Sequence, residues 1–259
     1  MSYTTILVAE TEGIRTITLN RPERRNAMTP EMQAELIAVL EESAAGRCRV
    51  VVFKGAGDAF CSGLDLSALQ SMNNKSAADH RADVEQIANL FRTLYEFPKP
   101  TIAAVHGPAI AGGTGLATIC DFTLATPAAK FGYTEARIGF VPALVSAFLQ
   151  LQIGDKRSRD LLLTARLFDA PEAYRLGLVN EIVAPDALDE RVRVLAQTLI
   201  ANSPESQAAT KRLLAEQNKA WLDSAIAQAM NANAISRETA DFKEGIAAFL
   251  EKRKPAWSK

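Results

Sequence analysis

Apolar and polar residues alternate or run together over positions 4–9 and 14–19, where Thr, Ile and Val recur and Glu12-Gly13 intervenes. That spacing predicts a β-hairpin. Thr29-Pro30-Glu31 then opens a predicted helix reaching about residue 44. Threonine suits the cap, proline the first helical position, and an acid the positive end of the helix dipole. Val50-Val51-Val52-Phe53 is an unbroken apolar run, the signature of a strand covered on both faces. Residues 77–96 carry Val84, Ile87, Leu90, Phe91 and Leu94 at helical spacing. Ile102 to Val105 reads as the next strand, Gly113 to Ile119 as a short helix, and Phe122 to Ala125 as another strand. Strand–helix–strand order repeated in this way predicts an α/β fold with parallel crossovers.

Beyond residue 140 the texture changes. Helices are expected at 142–153 and 155–165, and a last short strand from Leu178 to Val183. From Asp186 onward the period is helical, with breaks expected at Ser203-Pro204 and around Asn231 to Asn233. A soft boundary near residue 195 divides a 1–195 core from a 196–259 helical region. Ser71-Met72-Asn73-Asn74-Lys75-Ser76 is polar and aperiodic and reads as a mobile lid.

Composition narrows the function classes. The 259 residues carry a formal net charge of −1, which leaves no basic footprint for nucleic acid. Cys48, Cys61 and Cys120 lack metal-ligand spacing, and so sparse a set suits a reducing cytoplasm. With only His80 and His106 and no His-x-x-x-His or Cys-x-x-Cys, a metal site is not expected. His106 ends a strand and reads as structural, while His80 reads as a surface residue. The N-terminal residues lack a basic segment before an apolar core, so no secretory signal is expected. Apolar runs stop short of the ~18–20 residues a bilayer span needs.

Two small-residue turns carry the chemistry. Phe60-Cys61-Ser62-Gly63-Leu64-Asp65 is answered by Gly107-Pro108-Ala109-Ile110-Ala111-Gly112-Gly113-Thr114-Gly115. Each follows β-branched residues and precedes a helical pattern. Such turns admit close backbone approach and leave N–H groups free at a helix start. Either alone fits an ordinary strand-to-helix connection; two converging turns fit an oxyanion hole. Asp65 reads as a cap for the following short helix rather than a base. A dinucleotide fingerprint starting at Gly113 fails at Thr118, and neither turn holds Gly-Lys-Ser/Thr.

Together with Asn20-Arg21-Pro22 and Asn26-Ala27, these turns resemble the crotonase (enoyl-CoA hydratase/isomerase) family, and the likeness extends to Phe242-Lys243-Glu244-Gly245-Ile246. The resemblance implies an α/β, crotonase-like spiral of ββα units with a C-terminal helical trimerisation region, giving a homotrimer or a homohexamer. It implies an acyl-CoA thioester as ligand, with coenzyme A entering as part of the substrate and no permanently bound cofactor. The backbone N–H groups of Leu64 and Gly112 match the family's oxyanion donors. The loop from Glu23 to Ala27 would follow the pantetheine and adenine, with Arg24 and Arg25 reaching the phosphates. The Ser62 carbonyl matches a position that holds the adenine amino group. Lys243, reaching in from a neighbouring subunit, matches a phosphate partner, and Phe242 and Lys252-Arg253-Lys254 are further candidates, although taken alone that basic run reads better as a solvated helix end.

The family's hydratases commonly carry a glutamate in a Gly-Gly-x-Glu arrangement after the second turn. Here Gly115 stands at that position, which removes one of two carboxylates and is expected to leave room for a water. The second family glutamate matches Glu135 in Lys130-Phe131-Gly132-Tyr133-Thr134-Glu135. An acid in a helix's first turn is often just dipole-stabilised, but the matching block assigns Glu135 to catalysis. Beside Phe140 and Val141 its pKa is expected to rise, with Arg137 able to offset that rise if it faces the site. Leu66, Leu69, Phe91, Phe140 and Leu144 are the expected acyl pocket. Glu238 and Asp241 read as solvated or interface acids.

The resemblance therefore implies an enoyl-CoA hydratase, working on a 2-enoyl-CoA through an enolate. Gly-Gly-Thr-Gly-Leu and Ile138-Gly139-Phe140-Val141-Pro142-Ala143 look similar to bacterial hydratases of methylglutaconyl-type esters. A Δ3,Δ2-enoyl-CoA isomerase with a single glutamate is the alternative. A non-catalytic or RNA-binding member fits neither the charge nor Glu135, and a serine peptidase lacks a context joining Ser62 to His106.

Overall fold

The computed structural model describes residues 3–71 and 76–258. Residues 72–75 of the expected lid lie outside them; its ends are Ser71, the last residue of a short helix, and Ser76, the cap of the next. The chain opens on the predicted hairpin, β1 (Ile6–Thr11) and β2 (Ile14–Leu19), paired antiparallel. Glu12 and Gly13 both take positive φ, 54° and 77°, the backbone a two-residue hairpin turn needs. Helix α1 (Pro30–Ala45) starts where the sequence placed it, with the Thr29 hydroxyl accepting from the Met32 N–H.

β3 (Val50–Gly55), β4 (Thr101–Val105) and β6 (Phe122–Ala125) continue the sheet in parallel. Between them run α2 (Leu66–Ser71), α3 (Ala77–Tyr95), β5 (Ala109–Ile110) and α4 (Gly112–Ile119). Among the described residues the main sheet has the order β1-β2-β3-β4-β6-β9, where β9 is Glu181–Ile182, and a second sheet joins β5 to β7 (Lys130–Gly132) and β7 to β8 (Phe168–Asp169). Alternation along β3 decides what covers each face. Val51 and Phe53 enter the large core with residues of α1 and α3, whereas Val50 and Val52 pack with Leu188, Val192 and Ala196 of α7 (Leu188–Ile200). The unbroken apolar run is thus buried on both sides, as expected for a covered parallel strand.

The later part departs from expectation in two places. The strand expected from Leu178 to Val183 shrinks to β9 (Glu181–Ile182). It pairs only with Leu124 and Ala125, while Asn180 binds Thr123 through both its N–H and its side-chain carbonyl. The break expected at Asn231 to Asn233 is absent, because α8 runs without interruption from Pro204 to Glu238. Asn233 is buried and accepts from Arg237 one turn on, so these polar residues extend the buried stripe of Leu222, Ile226 and Ala229. The stop comes instead at Thr239, extended at φ −70° and ψ 152°, which also caps α9 (Ala240–Leu250).

The remaining elements are β7 (Lys130–Gly132), α5 (Ala143–Thr164), β8 (Phe168–Asp169) and α6 (Ala170–Leu176). Within α5 a non-helical Gly154, φ 75°, separates the two expected helices. Residue 195 falls inside α7, and α8 shares the large core with α1 and α3. No helix of the described residues is long and apolar enough to cross a membrane.

Candidate active site

The two glycine turns meet. A Cβ on Gly63 would lie 2.9 Å from the Ile110 carbonyl oxygen and 3.4 Å from the Gly112 nitrogen, and Gly63 holds φ at +89°. A Cβ on Gly113 would fall 2.2 Å from the Cys61 carbonyl oxygen. Both contacts need glycine, and both press one turn against the other.

Leu64 in the first turn and Gly112 in the second each leave the backbone N–H free. Met28 N–H donates to the Gly63 carbonyl at 2.7 Å, and Asp65 N–H donates to the Met28 carbonyl at 3.0 Å. In such a parallel bridge the intervening residue, Leu64, turns its own N–H to the other side. Gly112 is the first residue of α4, where no intrahelical carbonyl is available to its N–H. Neither group makes a tertiary hydrogen bond among the described residues. Ala111 before it is held at φ 52° and ψ −125° by its own N–H, which donates to the Gly132 carbonyl at 2.6 Å. Strain of this kind persists only where the surroundings fix it, and here it aims the first turn of α4.

Leu64 and Gly112 line a cavity of roughly 510 Å³ with Arg25, Ser62, Glu135 and a largely apolar wall. Glu135 is the one carboxylate among the described residues lining it. It opens the 3₁₀ turn Glu135–Ile138, which closes at Gly139 in the left-handed region, φ 65°. A Cβ on Gly139 would sit 2.3 Å from the Asp241 carbonyl oxygen, so the start of α9 backs this turn directly. Burial pushes the Glu135 carboxyl up from 4.5 to about 7, its own backbone N–H opposing only in part. Its Oε2 has no hydrogen-bond partner among the described residues. Such a group holds or releases a proton near neutrality.

A scan against family models matches residues 9–259 to "Enoyl-CoA hydratase/isomerase". The chain belongs to the enoyl-CoA hydratase/isomerase family. A Thermus thermophilus protein carrying an enoyl-CoA hydratase designation is 44% identical over 93% of this chain and 96% of its own. A crotonyl-CoA hydratase from Syntrophomonas wolfei is 32% identical over 98% of each chain. The crystal structure of an enoyl-CoA hydratase/isomerase from Xanthobacter autotrophicus superposes with a TM-score of 0.89 at 31% identity, covering 97% of this chain and 98% of that one. The α/β arrangement is therefore the crotonase spiral.

Within that family frame the expected residues divide. Leu64, Gly112, Glu135, Arg25 and Ser62 share the cavity, as do Leu66, Leu69, Phe91, Phe140 and Leu144 of the expected acyl pocket. Arg24, Ala27 and Lys243 do not line it. Ala27 is buried and its carbonyl accepts from Arg21 at 2.6 Å, whereas Arg24 and Lys243 are exposed. Arg253 of the basic run is engaged by Glu244 and Glu251 of its own chain, and Phe242 is buried against Phe140. Asp65 caps α2 through the Ser67 and Ala68 N–H groups. Burial opposes ionisation of Asp65, but these donors and the Arg21 guanidinium outweigh it and hold the carboxyl below its usual range. His106 binds the Gly57 carbonyl at 2.8 Å, the structural role expected. Arg137 is exposed at the cavity edge.

One expectation is corrected. Gly115 does not leave room for water, because a Cβ there would already meet Val145 Cγ1 at 2.7 Å and Phe91 Cζ at 3.4 Å. Hydrocarbon fills the place where the family's first glutamate stands. Asn233 was missed: it is 4% exposed and lines the cavity. The α8 stripe 222-226-229 continues at helical spacing to 233 and 237, a signal that two polar residues face inward.

Proposed function

We propose that the protein is an acyl-CoA enzyme that reversibly hydrates a 2-enoyl-CoA through an enolate, using one carboxylate. The observation carrying this reading is Glu135, raised to about 7 and unpartnered at Oε2, in the cavity that also presents the Leu64 and Gly112 N–H groups. With the thioester oxygen between those two donors, negative charge arriving on it is stabilised; one such donor is worth about 2.7–4 kcal/mol. Glu135 as carboxylate takes a proton from water while the water oxygen bonds C3. The C2=C3 electrons move onto the thioester oxygen, and Glu135 then returns the proton to C2 as the carbonyl re-forms. Coenzyme A enters with the substrate, Arg25 and Ser62 lying at the cavity rim and Arg24, Ala27 and Lys243 serving its outer parts. The names of the relatives support hydration, and the two sequence blocks similar to methylglutaconyl-type hydratases support a branched acyl group.

The filled space at Gly115 favours a second reading. An apolar wall there suits a Δ3,Δ2-enoyl-CoA isomerase, in which Glu135 moves a proton between C4 and C2 and water is kept away. Turnover of 2-enoyl- and 3-enoyl-CoA in oxygen-18 water separates the two. Label at C3 with the 2-enoyl substrate is expected; rapid 3-to-2 conversion without label would replace hydratase by isomerase.

The region from residue 196 is assigned to trimer contacts, with hexamers as pairs of trimers. Exposed Leu213, Leu214, Trp221, Ile235 and Phe249 support that role. The three buried, unpaired cysteines suit the cytoplasm.

A further inference from the structure

The acyl cavity is not apolar throughout. Asn233 of α8 lines it, and its Oδ1 accepts from Arg237 Nε at 3.0 Å. That bond fixes the amide: the oxygen is turned to the arginine, so the Nδ2 donor is turned the other way. Arg237 is 2% exposed, and its Nη2 meets Asp83 Oδ2 of α3 at 2.6 Å. Its Nη1 is buried with no hydrogen-bond partner among the described residues. The guanidinium carbon lies 6.0 Å from the centroid of Phe140, itself a cavity residue. A buried cation with a spare donor, behind an amide whose acceptor is already used, is expensive unless a ligand completes it.

Position relative to the thioester follows from α3. Phe91 lies against Gly112 and Gly115, whereas Asp83, which holds Arg237, stands eight residues earlier, and Ile87 between them lines the cavity. At 1.5 Å per residue, Ile87 stands about 6 Å and Asp83 about 12 Å along α3 from Phe91, so the polar pair lies toward the end of the cavity away from the oxyanion donors. That is the reach of the far end of a short acyl group.

We infer that Asn233, positioned by Arg237, selects acyl-CoA thioesters whose acyl group carries a carboxylate at its distal end. This deepens the proposed function and rests on it for the placement of the thioester. Asp83 neutralises Arg237, so the carboxylate is recognised by the Asn233 Nδ2 donor rather than by net charge. The remaining wall of Leu69, Ile87, Phe140 and Leu144 would hold the carbon chain between.

The test is binding, measured by calorimetry with the full-length protein and non-reacting ligands. Glutaryl-CoA and adipyl-CoA should bind at least about tenfold tighter than pentanoyl-CoA and hexanoyl-CoA, the ratio expected for a charge-assisted hydrogen bond. Asn233→Asp keeps the acceptor for Arg237 and replaces the donor by an anion, so that ratio should collapse or invert. Arg237→Gln should lower the same ratio, which a loss of general stability would not do. Equal affinities for the two ligand types in the wild type would overturn the inference without any variant, and leave the proposed function standing. A ratio unmoved by Asn233→Asp would likewise overturn it. Failure of every acyl-CoA to bind would remove both the inference and the proposed function.

Discussion

Gly115 of α4 is sealed by Val145 of α5: a Cβ at 115 would stand 2.7 Å from Val145 Cγ1. The contact explains why glycine is held in the middle of a helix, where it costs roughly 1 kcal/mol against alanine. It also makes that side of the cavity hydrocarbon, which on the proposed reading leaves proton transfer to Glu135.

The sign of one substitution should therefore depend on its neighbour. Gly115→Ala should destabilise the wild type by about 1–3 kcal/mol through overpacking. In a Val145→Ala background the clash is gone, and Gly115→Ala should stabilise by up to about 1 kcal/mol. Urea denaturation of the four proteins in this cycle gives the coupling. Additive effects would mean that Val145 does not occupy the space.

At the proposed oxyanion donors, Gly112→Ala and Gly112→Pro should differ sharply. A Cβ at 112 would be tight only against the flexible Met28 Cε, at 3.1 Å, with Phe91 Cζ and Gly63 Cα at ordinary contact distance, and alanine keeps the N–H. Proline deletes it, at a first helical position that accepts proline. The alanine variant should keep most activity, and the proline variant should lose about 10²–10³ in kcat. Circular dichroism must show both folded. A folded proline variant with near-full kcat would exclude the Gly112 N–H as a donor.

How much could be read beforehand depended on whether the determining contact was local. Thr29-Pro30, the Val50 to Phe53 run and both glycine turns carry their own instructions, in caps, two-faced burial and free N–H groups. The strand at Leu178 and the break at Asn231 misled because partners elsewhere decide them: β6 offers only Leu124 and Ala125, and Arg237 draws Asn233 inward. Glu135 was legible as a matching block, but the apolar residues that share its cavity, Leu69, Phe91 and Phe140 among them, come from separate stretches of chain. The filling of Gly115 by Val145, thirty residues away, left no local trace.

The packing of α9 should be felt in catalysis. A Cβ on Gly245 would lie 2.2 Å from the Ile138 carbonyl oxygen, in the turn that begins with Glu135. Gly245→Ala must push α9 or that turn away. We expect lower stability, measured by thermal unfolding, and a larger loss in kcat than in acyl-CoA affinity. Unchanged kcat in a destabilised variant would show that α9 does not position Glu135.

Glu135 should govern both activity and stability through the same ionisation. Its ordinary value is 4.5, and burial raises it to about 7 in the folded protein. Below 4.5 both folded and unfolded chains hold the proton, and the buried carboxyl carries no charge penalty. Between 4.5 and 7 the unfolded chain releases the proton while the folded chain retains it, so stability falls as pH rises. Above about 7 the folded carboxyl is ionised too, the slope ends, and the loss totals about 3 kcal/mol. Glu135→Gln has no proton to release and should lack this slope. Urea denaturation of both proteins from pH 4.5 to 8 should therefore give curves that diverge, with the variant gaining on the wild type toward neutrality. Turnover runs the other way, because taking a proton from water or from carbon requires the carboxylate: kcat/KM should rise with pH to a plateau above about 7 and vanish in Glu135→Gln. Parallel stability curves, or a variant that keeps the rising limb, would place the titrating base elsewhere.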